Sequence, residues 1–310
     1  DGQWQEISWG EAIAEVASKV GGAISDHGPD SVYLNEGAFK DGGSLRFMDT
    51  IGSSSVIRSR FPSISNMAKQ TALENAIGVD FLLPDLENTH YVLNFGANIF
   101  ETAPPLAQRL TDGVVNNRLK LVTFDVRLSN TAGRSNEWIP VFPGSDSIVA
   151  LAMSNVILSE GLADTNFINK WTNHKAEDLA KSLSTFTPEQ AEEASGVPAK
   201  TIISIAREFA KTRPATIISQ NGVNFHKNGT ASETAFLLLA VITGNIDNEG
   251  GYCLPRQFDI PQPQPAPVQK GSLVRRLNHA FPFELKEGDH NVQVLFNHMS
   301  NPVYASPAAS

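Results

Sequence analysis

The sequence predicts an α/β protein: a doubly wound, mainly parallel Rossmann-like sheet inserted into a second α/β lobe. Short apolar runs at Tyr91–Phe95, Leu119–Phe124 and Trp138–Val141 each end close to a glycine or an aspartate. Helical patterns separate them, and a strand–helix–strand repeat implies parallel strands with helices on both faces. A further strand, Ala215–Ser219, and the nearly apolar stretch Ala231–Thr243 follow a long helical region.

The elements come in this order. Ser8-Trp9-Gly10-Glu11 has the pattern of a capping box, and Ala12, Ile13, Val16, Val20 and Ile24 continue it at helical spacing. Ser31–Leu34 reads as a strand, Leu45–Ile51 and Asn66–Ile77 as short helices. After the buried strand Tyr91–Phe95, Gly96 makes the turn, and Pro104-Pro105 fall near the first turn of a helix. Pro143-Gly144-Ser145-Asp146 leads into the apolar helix Ile148–Leu158. Helix then runs from Asp164 to about Thr212, with a second capping box at Thr187-Pro188-Glu189-Gln190. Gln220–Thr230 reads as a polar loop, residues 260–268 as a proline-rich linker, and Val292–Phe296 as a last strand.

Composition narrows the function. The 310 residues are 41% hydrophobic and 18% charged, enough for about two domains. The longest apolar run, Phe236–Ile242, is far below the ~20 residues that cross a bilayer, so no membrane span is expected. A net charge of −9 without a basic block argues against nucleic acid. Cys253 stands alone, which excludes an internal disulfide, a cysteine-rich zinc site or an iron–sulfur cluster held by this segment. The opening at Asp1 and the stop soon after a strand read as cuts through a longer protein.

The candidate chemistry sits on strand-end loops. Gly96 permits close backbone approach, Asn98 suits a phosphate or sugar oxygen, and Glu101 is favourable at a helix N-terminus. An ordinary strand-to-helix turn explains the same residues. Asp125 suits a ribose or a purine's amino edge, or else the capping of the turn Asp125–Asn130; Arg127 suits a ligand or solvent. Gly144, Ser145 and Asp146 form a third loop, in which Ser145 or Asp146 equally suits a helix cap. Three such loops at successive strand ends favour a dinucleotide-type ligand. His226 suits a cofactor contact or a surface position. Asn297, His298 and Asn301 follow the last strand.

These segments together resemble one family, the molybdopterin oxidoreductases of the dimethyl sulfoxide reductase type. Trp4–Ala12 resembles its "W-x-x-I-S-W-D-E-A" opening, with Gly10 in place of the aspartate. Asn94–Glu101 resembles "G-x-N-x-x-E", and Phe124–Arg127 with Thr131-Ala132 resembles "D-x-R-x-T-x-T-A". Trp138–Leu151 resembles "E-W-L-P-I-x-P-G-T-D-x-A-L". Gly222–Gly229 and Leu237–Gly251 resemble the family's glycine-containing loop and "L-T-G-N-I-G-x-x-G-G", and Phe296–Pro307 resembles "N-P-V-x-S-x-P".

The resemblance implies molybdenum or tungsten held between two molybdopterin guanine dinucleotides. Gly96, Asn98, Glu101, Asp125, Arg127, Gly144, Ser145 and Asp146 would line one guanine dinucleotide, while Asn221, Phe225 and Asn301 would approach the pterin side. The Rossmann-like lobe would be 63–216, inserted into a lobe of 1–62 plus 217–310. An iron–sulfur cluster would belong only to an N-terminal domain outside this chain. For the metal ligand, counting from Gly52-Ser53 reaches Ser63, and counting back from Gly78 favours Ser65; helix N-capping is the other use for both serines.

The implied function is a catalytic-subunit fragment of an anaerobic respiratory oxidoreductase acting on an oxyanion or sulfur compound. Its partners would be an iron–sulfur electron-transfer subunit and a membrane anchor subunit, and its compartment the periplasm. Two other readings stay open: a metal-free structural relative within an electron-transfer complex, and a plain nucleotide-binding module.

Overall fold

A computed structural model describes residues 2, 4–37, 43–58, 61–116, 118–256 and 292–301. The proline-rich stretch 260–268 lies outside them. The chain divides into two compact units, Asp1–Ser63 with Phe258–Ser310, and Ile64–Gln257.

In the first unit, α1 (Trp9–His27) starts at the expected box: Ser8 accepts from the Glu11 amide, and the Glu11 carboxylate accepts from the Ser8 amide. It is followed by β1 (Val32–Glu36), α2 (Gly43–Ile51) and β2 (Val56–Arg58). α3 (Phe61–Ile77) continues into the second unit.

The second unit carries β3 (Leu83–Pro84), β4 (Tyr91–Phe95), α4 (Ile99–Thr102), α5 (Pro104–Val115), β5 (Lys120–Asp125), β6 (Glu137–Pro140) and α6 (Asp146–Ser159). Then come α7 (Thr165–Trp171), α8 (Ala176–Leu183), α9 (Pro188–Ser195), α10 (Ala199–Lys211), β7 (Ala215–Ser219), α11 (Asn221–Asn224), α12 (Gly229–Ile242) and β8 (Tyr252–Cys253). The chain returns to the first unit with β9 (Val294–His298), which pairs with β1 in a parallel sheet ordered β2-β1-β9. Val20, Val32, Leu34, Met48 and Val56 form that unit's core.

The second unit is built on a four-stranded parallel sheet in the order β6-β5-β4-β7. Its winding follows from the side-chain period of two. Tyr91, Leu93, Phe95, Val122, Phe124, Ala215 and Ile217 face one core, with Phe209, Met153 and Phe236 from α10, α6 and α12. Val92, Leu121 and Ile218 face the other, with Ala107 and Leu110 from α5. Strands covered on both faces are apolar throughout, as these are. α6 and α12 pack on each other and are apolar nearly all round for the same reason.

One expectation changes. The domain boundary expected after residue 216 lies instead at 257/258. β7 pairs with β4 from Tyr91↔Ala215 to Phe95↔Ser219, and α12 lies against α6, so 217–257 packs with the sheet. The buried Asn245 amide oxygen accepts from the Ala215 N–H at 3.2 Å, and the Tyr252 hydroxyl donates to the Ile217 carbonyl.

The helix expected with Pro104-Pro105 near its first turn is α5, and a separate short helix, α4, precedes it, broken from it at Ala103. Pro104 disfavours helical geometry in the residue before it, and Ala103 has φ −144° and ψ 70°. α4 is therefore one turn long and carries little of a helix dipole.

Candidate functional site

Chain order runs β4, β5, β6 outward, then returns to place β7 on the other side of β4. Such a reversal creates a crevice beyond the carboxyl ends of the strands. Four loops meet there.

The β4 and β7 loops touch backbone to backbone. Gly96, at φ +57°, accepts on its carbonyl from the Gly222 N–H at 3.0 Å. A Cβ on Gly222 would lie 2.4 Å from the Gly96 carbonyl oxygen, and one on Gly96 would lie 3.0 Å from the Gly222 Cα. Neither position has room for a side chain. Thr102 adds a bond to Gln220 at 2.9 Å.

The β4 and β5 loops are laced by side chains. Asn98 Oδ1 accepts from Thr131 N at 3.3 Å and from Thr131 Oγ1 at 3.2 Å. Asn98 does not cap α4 with its side chain. Thr131 Oγ1 also accepts from the Phe100 N–H, and the Asn130 amide donates to Glu101. Asp125 is 9% exposed and holds its own turn: Oδ2 accepts from Ser129 Oγ at 2.7 Å, and Oδ1 accepts from the Arg127 N–H at 3.4 Å. The turn-capping use of Asp125 is thus realised, while Arg127 is exposed.

The β6 loop carries Gly144 at φ +78°, with the His226 imidazole 3.4 Å from where a Cβ would stand. The Gly144 carbonyl accepts from Asn228 at 2.8 Å, tying this loop to β7's. Ser145 occupies the N-cap position of α6 but does not cap with its side chain, because its hydroxyl donates back to the Phe142 carbonyl at 2.7 Å. Asp146, 4% exposed at the first position of α6, receives no side-chain hydrogen bond from the described residues. Burial pushes its carboxyl up to about 6; its own backbone N–H and His226 oppose the rise, while the Asp125 and Glu233 carboxylates add to it. Asn98, Asp125 and Asp146 therefore stand on one rim.

A second set of polar groups under the β7 loop was missed by sequence reasoning. Lys69 Nζ donates to Ser219 Oγ at 3.1 Å, and Ser219 Oγ donates to Glu233 Oε2 at 2.9 Å. Glu233 is the one acidic residue in the apolar helix α12, a signal that was available. Lys69 carried none.

Asn221 and Phe225 are exposed, Phe225 at 63%. Asn301 is exposed beyond β9 in the other unit. Ser63 and Ser65 fall inside the first turns of α3, which begins at Phe61, so neither is an N-cap; their side chains lie outside the described residues. Among the described residues, no group of three or more His, Cys, Asp or Glu side chains is placed to hold a metal ion.

A doubly wound parallel sheet whose four carboxyl-edge loops are bonded to one another is a Rossmann-like α/β module with a crevice where the strand order reverses. The chain belongs to the molybdopterin oxidoreductase family, whose model matches residues 1–306. It is 32% identical over 253 residues to the thiosulfate reductase molybdopterin-containing subunit PhsA of Salmonella typhimurium, across 81% of this chain and 33% of that protein. It is 29% identical over 307 residues to the dimethyl sulfoxide reductase DmsA of Haemophilus influenzae, across 84% of this chain and 37% of that one. Among solved structures, the acetylene hydratase from Pelobacter acetylenicus matches with a TM-score of 0.65 and 25% identity, across 79% of this chain and 34% of that chain. The chain spans about a third of the length of these relatives. Among the described residues, no helix is long and apolar enough to cross a membrane.

Proposed function

We propose that this chain is part of the catalytic subunit of a molybdopterin guanine dinucleotide-dependent oxidoreductase, and that its rim holds one guanine dinucleotide. The observation that carries the reading is the lacing of the Asn98, Asp125 and Asp146 loops along one sheet edge, the last of them through the β7 loop. The donor set fits the group. A buried carboxylate without a side-chain donor, as at Asp146, suits the N–H and amino groups of a purine better than a phosphate. The Gly96–Gly222 contact lets ligand approach bare backbone.

In this scheme the residues divide the work. Asp146 accepts from the purine edge, and Asp125 shapes the loop that carries Arg127. Asn98 offers its Nδ2 to a sugar or phosphate oxygen, with Oδ1 fixed by Thr131. Gly144 and Ser145 keep the β6 loop close, and Glu101 braces the β5 loop through Asn130. Asn221, Phe225 and Asn301 belong to the pterin side, with Ser63 as the proposed protein ligand to molybdenum or tungsten. When bound, the metal cofactor supplies two-electron redox chemistry, while the protein supplies orientation and electrostatics.

The names of the relatives support a sulfur compound or an oxyanion as substrate. An iron–sulfur electron-transfer subunit, a membrane anchor subunit and a periplasmic location complete the proposal. Native purification of the full-length protein tests it through metal analysis, pterin fluorescence after oxidation, and release of GMP on hydrolysis. Molybdenum or tungsten with pterin and GMP is the expected result. Absence of both metals and of pterin refutes it.

A further inference from the structure

Asparagine followed by glycine is the dipeptide in which the backbone most readily attacks its own side chain, because glycine puts no Cβ in the way. The sequence contains two such pairs, Asn221-Gly222 and Asn228-Gly229, and both lie in the loop that follows β7. The attack needs two freedoms. The glycine N–H must be unbonded, so that its nitrogen can lose the proton, and the asparagine side chain must be able to swing onto that nitrogen.

The two pairs are held differently. At Asn228 both freedoms are blocked: its Nδ2 donates to the Gly144 carbonyl at 2.8 Å, and the N–H of the buried Gly229 donates to the His226 carbonyl at 2.9 Å. At Asn221 only one is blocked. Its side chain is exposed and makes no hydrogen bond among the described residues. What stands in the way is the Gly222 N–H, which is donated to the Gly96 carbonyl at 3.0 Å.

We propose that Asn221 is a latent self-deamidation site, and that the backbone bond from Gly222 to Gly96 is the guard that keeps it shut. When the β4 and β7 loops part, the freed Gly222 nitrogen gives up its proton and bonds to Asn221 Cγ. The Cγ–Nδ2 bond breaks, and the side-chain nitrogen leaves as ammonia with that proton. Water then opens the cyclic imide at either of its carbonyls, leaving aspartate or isoaspartate. Nothing is oxidised or reduced, and water is the only co-reactant.

The product does not refit the contact. Isoaspartate runs the main chain through the former side chain and so adds a methylene beside Gly222, where a Cβ alone would lie 2.4 Å from the Gly96 carbonyl oxygen. Either product also places a carboxylate where a neutral amide stood. That this side of the crevice faces a pterin rests on the proposed function; the deamidation itself needs no cofactor.

Peptide mapping by mass spectrometry of the full-length protein, incubated at mildly alkaline pH, counts deamidation at 221 and 228 separately. Urea-unfolded protein supplies the unguarded rate of each pair. Reaction proceeds only from the opened fraction, so folded protein is expected to react at Asn221 about tenfold or more slowly than unfolded protein, and at Asn228 more slowly still. Gly96→Ala brings a Cβ to 3.0 Å from the Gly222 Cα, and is expected to raise the folded-state rate at 221 about threefold or more while leaving 228 unchanged. If that variant unfolds, both pairs quicken together, and Thr102→Val, which removes the neighbouring bond to Gln220, decides in its place with the same expectation. Reaction at Asn221 as fast in folded as in unfolded protein overturns the guard, and so does an unchanged rate at 221 in the deciding variant. Asn228 reacting ahead of Asn221 in the folded protein overturns the assignment of the site.

Discussion

Replacing Asp146 by asparagine should stabilise the cofactor-free protein, and only above a particular pH. The Asp146 carboxyl is 4% exposed and is raised from an ordinary 3.8 to about 6. A carboxyl whose folded value lies above its unfolded one disfavours folding in its ionised form. The cost is full above about pH 6 and fades as pH falls toward 4, where both states become protonated. A rise of about two pH units at ~1.36 kcal/mol each amounts to about 3 kcal/mol. That shift already includes the attraction of the ionised carboxyl to the N-terminus of α6, so with asparagine, which resembles the protonated form, the gain should be about 3 kcal/mol. Urea unfolding of full-length Asp146→Asn and unaltered protein, both without cofactor, should show this gap at about pH 8 and nearly none at about pH 4. A gap of the same size at both pH values would refute the reasoning. In cofactor-loaded protein the sign should reverse, because the variant presents an amide where the purine needs an acceptor.

The backbone contact between the β4 and β7 loops gives a second expectation. Gly222→Ala places a Cβ 2.4 Å from the Gly96 carbonyl oxygen, which is backbone and cannot swing aside; a loss of about 2–3 kcal/mol by urea unfolding is expected, and unchanged stability would contradict the geometry. Thr131→Val removes the hydroxyl that bonds both Asn98 and the Phe100 N–H; a loss of about 1–2 kcal/mol and lower retention of bound GMP should follow. Asn245→Ala leaves the buried Ala215 N–H unpaired and should cost about 1–3 kcal/mol, read as a lower thermal midpoint with faster amide exchange in β7.

The fold was legible wherever one physical rule dominated. Tyr91–Phe95 and Ala215–Ser219 read as strands because both their faces are covered, and both capping boxes formed because their partners are three residues apart. The strand bounds moved by a residue or two, as at β5 and β6, where the chain keeps pairing to Asp125 and Pro140. What the sequence did not carry was pairing order. Nothing local to Ala215–Ser219 says that it lies against β4, so the lobe boundary was placed inside β7, ahead of α11, α12 and β8. The rim residues were legible because glycine, asparagine and aspartate after strands have few uses. Lys69 was not, since a lysine on a half-buried helix resembles every other such lysine until the strand it reaches is known.

The place of β7 bears on how this molecule is made. β4, an interior strand of the finished sheet, is synthesised long before β7, which will cover one of its two edges. Until Ala215–Ser219 emerges and docks, the row of amides and carbonyls along Tyr91–Phe95 is an open invitation to any other chain nearby. A nascent polypeptide stalled at Lys211 would own three of the four loops of its pocket and still be a hazard to its neighbours.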